Sequence, residues 1–144
     1  MSLKVLMPTL TQDIGDWLGE EIDSELALAK AVHQGLPLSV FATFLKHGLT
    51  NEEFHKIVIP ARTFKHRKAK VMPLSVDESD KAVRAARVLA YAEKTFGSRD
   101  KALSWMRKPK KRFEGEAPMQ MLQTGAGARL VEEMLIQVDE GMFA

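Results

Sequence analysis

The sequence predicts an all-α protein, and three observations carry the prediction. No stretch of useful length alternates apolar and polar residues as a half-buried strand would. Apolar residues instead recur at helical spacing, and two helix starts are marked by a hydroxyl residue followed three positions later by Glu, at Thr50/Glu53 and Ser75/Glu78. Gly and Pro punctuate the chain at intervals that suit short helices, among them Gly35, Gly48, Pro60, Gly97, Pro118 and Gly141.

In chain order, "SELALAKAVHQG" reads as a helix capped by Ser24 and stopped by Gly35, with Leu26, Ala27, Ala29 and Ala31 inside it. "LPLSVFATFLKHG" follows, with Pro37 expected at the first helical position, where its missing N–H costs nothing. Val40, Phe41, Phe44 and Leu45 give this helix an apolar stripe, and Gly48 ends it. In "LTNEEFHKI", Thr50 and Glu53 have capping-box spacing and Leu49 and Phe54 sit at hydrophobic-staple positions. The pattern breaks at Val58 and Ile59, and Pro60 opens another helix. Two short helices joined this tightly must cross steeply, which is the helix-turn-helix arrangement.

A second capping box at Ser75 and Glu78 begins a long helix over Val76 to Phe96, with Ala82, Ala85, Ala86, Leu89, Ala92 and Phe96 along one face. "SRDKALSWMRKP" is a short helix capped by Ser98, and "RKPKKRFEGEAP" reads as a charged connector. Pro118 opens a one-turn helix in "APMQMLQ", and Thr124 caps "GAGARLVEEMLIQVDEG", which Gly141 ends. The expected division is a helical segment over 1–34 with a surface for dimerisation, a helix-turn-helix domain over 35–74, and a small helical domain over 75–144.

Composition bounds the function. The chain has 144 residues, 45% hydrophobic and 28% charged, which is enough for one good core. It lacks cysteine, so disulfides, thiolate zinc sites and cysteine nucleophiles are excluded and a reducing compartment fits. No apolar run approaches the roughly 20 residues of a membrane span, and "MSLKVLMPTL" lacks the core of a secretory signal. A soluble cytoplasmic protein is expected, with no membrane partner. Catalysis finds no constellation. Glu52 and His55 form a lone E-x-x-H, and the G-x-G of "TGAGARL" follows no strand, so no enzyme activity, cofactor or metal is expected.

Charge is nearly balanced, 21 Lys+Arg against 19 Asp+Glu, so only its distribution speaks. "IPARTFKHRKAK" is basic and free of acids. On the second helix of a helix-turn-helix, Arg62, Thr63, His66 and Arg67 would face base edges, with Lys65, Lys68 and Lys70 near phosphates. A solvated charged face is the competing reading. A second run, Arg107, Lys108, Lys110, Lys111 and Arg112, reads as a solvated loop or as a contact for phosphates or an acidic partner. In the last helix Leu130, Val131, Met134, Leu135, Val138 and Met142 cover two adjacent stripes, wider than one core contact needs. That width suits either burial between two neighbours of the same domain or a partner surface.

Several motifs, in order, resemble the Xre/ParS-like antitoxins of RES–Xre toxin–antitoxin pairs. They are "GLTNEEFHKIVIPARTFKHRK", "SVDESDKAVRAARVLAYAEKTFG", "KALSWMRKP" and "APMQMLQTGAGARLVEEMLIQVDEGMF". The resemblance runs from about Gly35 onward. It implies an Xre-like helix-turn-helix followed by a toxin-binding domain, in a protein that dimerises and represses its own operon. It also implies a cognate RES-domain toxin that consumes NAD, neutralised when the antitoxin's C-terminal region occupies its active site. On that basis the toxin-binding residues are expected to be Leu130, Glu133, Met134, Gln137, Glu140, Gly141, Met142 and Phe143. A stand-alone helix-turn-helix regulator is the alternative, though it would not need the wide apolar C-terminal stripe. The pattern departs from the family at Val58, where the turn commonly carries Gly. A β-branched residue is poorly suited to positive φ, so the turn here is expected to differ or to alter the DNA-reading geometry.

Overall fold

The computed structural model describes residues 3–141. Among them there is no strand, and the helices are α1 (Leu3–Leu18), α2 (Glu25–Gln34), α3 (Val40–Lys46), α4 (Asn51–Ile57), α5 (Ala61–Ala69), α6 (Val76–Phe96), α7 (Arg99–Arg107), α8 (Pro118–Met121) and α9 (Gly125–Asp139). A 3₁₀ turn over Lys111–Phe113 lies between α7 and α8.

Local chemistry sets most of the boundaries. Ser24, Thr50, Ser75, Ser98 and Thr124 each accept a hydrogen bond from the third backbone N–H of the helix that follows. At Thr50 and Ser75 the box is complete, because the Glu53 and Glu78 carboxylates take the N–H of the capping residue in return. Gly97 closes α6 in the left-handed conformation at φ 81°, where a side chain would be strained.

The start of α3 departs from the sequence expectation. Pro37 is not its first residue: Val40 and Phe41 donate back to the carbonyls of Pro37 and Leu38, and the helix begins only after this turn. The cause is tertiary. Leu36 is buried, its N–H donates to Ser79 Oγ at 2.8 Å and its carbonyl accepts from Leu74 N–H at 2.9 Å. The backbone before Pro37 is thereby tied to α6, and a tight turn is needed to enter α3 at the right angle.

α6 is the spine. Its alanines at 82, 85, 86, 90 and 92 are all buried, and their small side chains let α1, α7 and α9 pack closely around it. Leu10, Ile14, Trp17 and Leu18 of α1, with Ile22 and Leu28 beyond it, also point into this core. Over residues 10–34, most of the large apolar side chains are therefore used inside the chain. Leu26 on α2 is the exception, at 64% exposure. Burying these side chains drives the assembly, since each large aliphatic removed from water contributes about 1.5–3 kcal/mol.

The expected charged connector after α7 is also better ordered than its composition suggests. Phe113 is buried, Lys110 lies 4.7 Å from the centre of the Trp105 ring, and Arg112 donates to Gln137 on α9. Burial, followed by the neighbouring charge of Lys108, lowers the Lys110 pKa from its usual value. Arg107 forms a two-pronged ion pair with Glu53 and also donates to the Gly48 carbonyl at 2.7 Å. A run that reads as loose basic sequence thus links α7 to the helix-turn-helix and the 3₁₀ turn to α9.

Candidate functional site

Two surfaces carry the residues that the sequence singles out. The first is α4–turn–α5. Val58 closes α4 at φ −103° and ψ −57°, in the right-handed region, with its N–H on the Phe54 carbonyl. No positive φ is needed, so the missing Gly carries no strain. Val58 is also buried, at 2% exposure, and the turn uses the side chain that Gly would lack. The His55 ring nitrogen Nδ1 lies 3.0 Å from the Ile59 carbonyl; since a carbonyl can only accept, Nδ1 carries the proton in this contact. That bond fixes the exit of the turn, and Pro60 then sets the direction in which α5 begins.

α5 has no buried residue. It is held by half-buried Phe64, whose ring packs 4.9 Å from Phe41 and 5.6 Å from His55, and by Arg67 at its far end. Arg62, Lys65, His66 and Lys68 are exposed, with Lys70 beyond them, and Thr63 is half-buried. Arg67 corrects one expectation. Its Nε and Nη2 donate to the two Glu78 carboxylate oxygens at 3.1 and 3.0 Å, so this guanidinium is committed to α6 and does not project as a base reader. Burial alone would raise the Glu78 carboxyl; the hydrogen bonds from Arg67 and from the Ser75 backbone outweigh it and leave it lowered. The same contact with Glu78 raises Arg67 further above its usual value.

The second surface is α9. Gly127 packs so closely on the Met121 carbonyl that a Cβ there would collide with it, which brings α9 hard against α8. Val131, Met134 and Leu135 are buried beneath the helix. Met134, expected to face a partner, is only 7% exposed and belongs to the chain's own core. The outward stripe is Ala126, Leu130, Glu133, Gln137 and Glu140, at helical spacing, with Leu130 46% exposed. Gln137 is half-buried and accepts from Arg112, so it is fixed in place. Gly141 follows at φ 79°, turning the chain out of the helix. Met142 and Phe143 lie outside the described residues. Exposed Arg129 and half-buried Glu132 adjoin the stripe and were not singled out by the sequence, because charge at a single helix position carries no directional signal. Burial raises the Glu132 carboxyl against the opposing pull of Arg87 and Arg129.

Known proteins bear on both surfaces. Residues 27–87 match the Antitoxin Xre-like helix-turn-helix domain, and residues 92–141 match the Antitoxin Xre/MbcA/ParS C-terminal toxin-binding domain. Antitoxin Xre of Pseudomonas putida is 40% identical over 121 residues, 84% of this chain and 76% of that protein. The chain belongs to the Xre antitoxin family. Antitoxin Xre of Yersinia enterocolitica is 30% identical over 87 residues, and that of Photorhabdus laumondii 31% over 87; each match spans 60% of this chain and 59% of the relative. This Xre-family antitoxin therefore carries a helix-turn-helix domain and a toxin-binding domain, and its family is not an enzyme family. Both matched ranges reach into α6, which joins the two surfaces in one rod. No helix among its described residues is long and apolar enough to cross a membrane.

Proposed function

We propose that this antitoxin neutralises a cognate RES-domain, NAD-consuming toxin by placing its C-terminal region in the toxin's active site, and that as a homodimer it represses its own operon through α5. The division of labour is DNA contact from residues 35–74 and toxin contact from 75–144. The observation that carries the toxin half is the exit from α9. A stripe of Leu130, Glu133, Gln137 and Glu140, apolar at one end and acidic at the other, runs up to a left-handed Gly141 that ends the helix. Glu133 and Glu140 suit cationic groups that would otherwise hold the diphosphate of NAD, and Met142 and Phe143 supply apolar anchors. A buried aromatic anchor contributes about 2–4 kcal/mol at such an interface.

The DNA half rests on the exposed cations of α5. Arg62, Lys65 and Lys68 have no ion-pair partner among the described residues and remain available to phosphates and base edges, with Thr63 and His66 between them. A two-fold operator would require two such helices about 34 Å apart, hence two copies.

The test is co-expression of the toxin with the full chain or with a chain lacking Gly141 to Ala144, following growth and cellular NAD. The truncated form should fold and retain DNA binding but lose protection. Full protection by the truncated chain would refute the role given to the tail.

A further inference from the structure

Beyond the basic face of α5, the segment that leaves this helix has two unusual features at one place. Among residues 10–141 only Leu26, Val71, Met72, Val76 and Leu130 are large apolar side chains standing exposed, and three of these fall between positions 71 and 76. Scattered singly they would mean little, but clustering marks a surface with a use. Val71 is 91% exposed, so its isopropyl group gains almost nothing from this chain's own core.

Val71 also has φ 55°, the left-handed region that a β-branched residue avoids. The hydrogen bonds explain the geometry. Met72 N–H donates to the Arg67 carbonyl at 2.9 Å and Val71 N–H to the Lys68 carbonyl at 3.2 Å. This is the Schellman pairing that ends a helix, and its left-handed position is normally Gly. A residue that is strained where Gly would relax, and exposed where burial gives nothing, points to a contact outside the chain.

We propose that Val71 and Met72 form an apolar tip that packs against the C–H surface of a DNA duplex, either a thymine methyl or the edge of a deoxyribose. The proposal rests on the DNA-binding reading of α5. Charge selects the occupant. Lys65, Lys68 and Lys70 stand exposed on the stretch that leads into the tip, and no acidic residue occurs between Glu53 and Asp77. Two copies pairing tip to tip would bring like charges together, whereas a polyanion turns the same cations into attraction. Arg67 has its backbone carbonyl in the pairing and its guanidinium on Glu78, so the tip is held rigidly at the end of α5. Apolar contact with the thymine methyl is an established mode of base discrimination.

The test compares the wild type with Val71→Gly and Met72→Ala by fluorescence anisotropy, on a duplex spanning the promoter region of the antitoxin's own gene. A second duplex carries uracil in place of thymine. Val71→Gly should melt higher than the wild type, because Gly relieves the strained φ, and yet bind the duplex about three- to tenfold more weakly. A merely structural role would move the two in the same direction. If the tip reads a thymine methyl, uracil weakens the wild type and leaves Val71→Gly unaffected. If it packs on deoxyribose, uracil affects neither protein and the deficit in Val71→Gly persists. Wild-type affinity in both single variants, while Lys65→Ala/Lys68→Ala loses binding, would overturn the tip and leave the DNA reading standing. Failure of the wild type to bind the duplex would overturn both. A change of sedimentation from dimer to monomer in the tip variants without DNA would overturn the proposal in favour of a second copy as occupant.

Discussion

Replacing Glu78 by Gln would show how α5 is held. The carboxylate accepts three hydrogen bonds: from Arg67 Nε at 3.1 Å, from Arg67 Nη2 at 3.0 Å and from the Ser75 N–H at 2.8 Å. Gln keeps an oxygen for Ser75 but turns an NH₂ toward the guanidinium, donor against donor. The half of the capping box made by Ser75 Oγ is untouched. The side chains of the pair are 21% and 12% exposed, between the limits of a solvated pair and a fully buried one. The loss should therefore lie between the ~0–1 kcal/mol of a surface pair and the ~3–5 kcal/mol of a broken buried pair, at about 2 kcal/mol. For a chain of this size that lowers Tm by roughly 4–8 °C. The effect has a pH signature. Because the folded Glu78 carboxyl is lowered from 4.5, its contribution is complete above that value and disappears as pH falls through the folded pKa. Thermal melts of wild type and Glu78→Gln, followed by circular dichroism, should differ most near neutral pH and converge in acid. An unchanged Tm at neutral pH, or a gap that stays constant into acid, would refute the view that this pair anchors α5.

Other outcomes follow from the same geometry. Val58→Gly, although it installs the residue common at this turn, should lower stability by about 2 kcal/mol, because a buried isopropyl is removed and no positive φ is relieved; the urea midpoint reads this directly. Gly127→Ala drives a methyl against the Met121 carbonyl and should cost about 1–3 kcal/mol, together with protection against the toxin, in paired melting and co-expression assays. Tyr91, the single tyrosine, should stay protonated until about pH 12, because burial raises its phenol and Asp139 and Glu140 add to the shift. Spectrophotometric titration of the folded chain would show this, with the band returning to about pH 10 on unfolding. Replacing Arg62, Lys65 and Lys68 together by Ala should leave Tm unchanged and reduce the salt dependence of DNA binding by about 0.9 in the log–log slope for each phosphate no longer neutralised.

The helices from α2 onward and most of their ends are legible in the sequence alone, whereas α1 (Leu3–Leu18), which no capping-box motif precedes, is not. A cap is decided by side chains three residues from the backbone groups they satisfy, so Thr50 with Glu53, Ser75 with Glu78, and the stop at Gly97 need no fold to be read. The Xre-like order of those helices is legible by a different route, through the resemblance of four successive motifs to that family. Which charges and which faces stay free was settled by packing. Arg67 reads as a DNA contact until Glu78, eleven positions on, is seen to hold it. Arg107 reads as loop charge until Glu53, fifty-four positions away, closes on it. Met134 reads as partner surface because a wide apolar helix cannot say which of its stripes the core will take. Val58 and Val71 complete the contrast. One sits where Gly is common and needs no positive φ, and the other takes a positive φ where the sequence shows no Gly. Side-chain identity sets what a residue can bond. The packing of α6 against α1, α7 and α9 sets which partner comes within reach, and that choice depends on separations along the chain that local patterns do not encode.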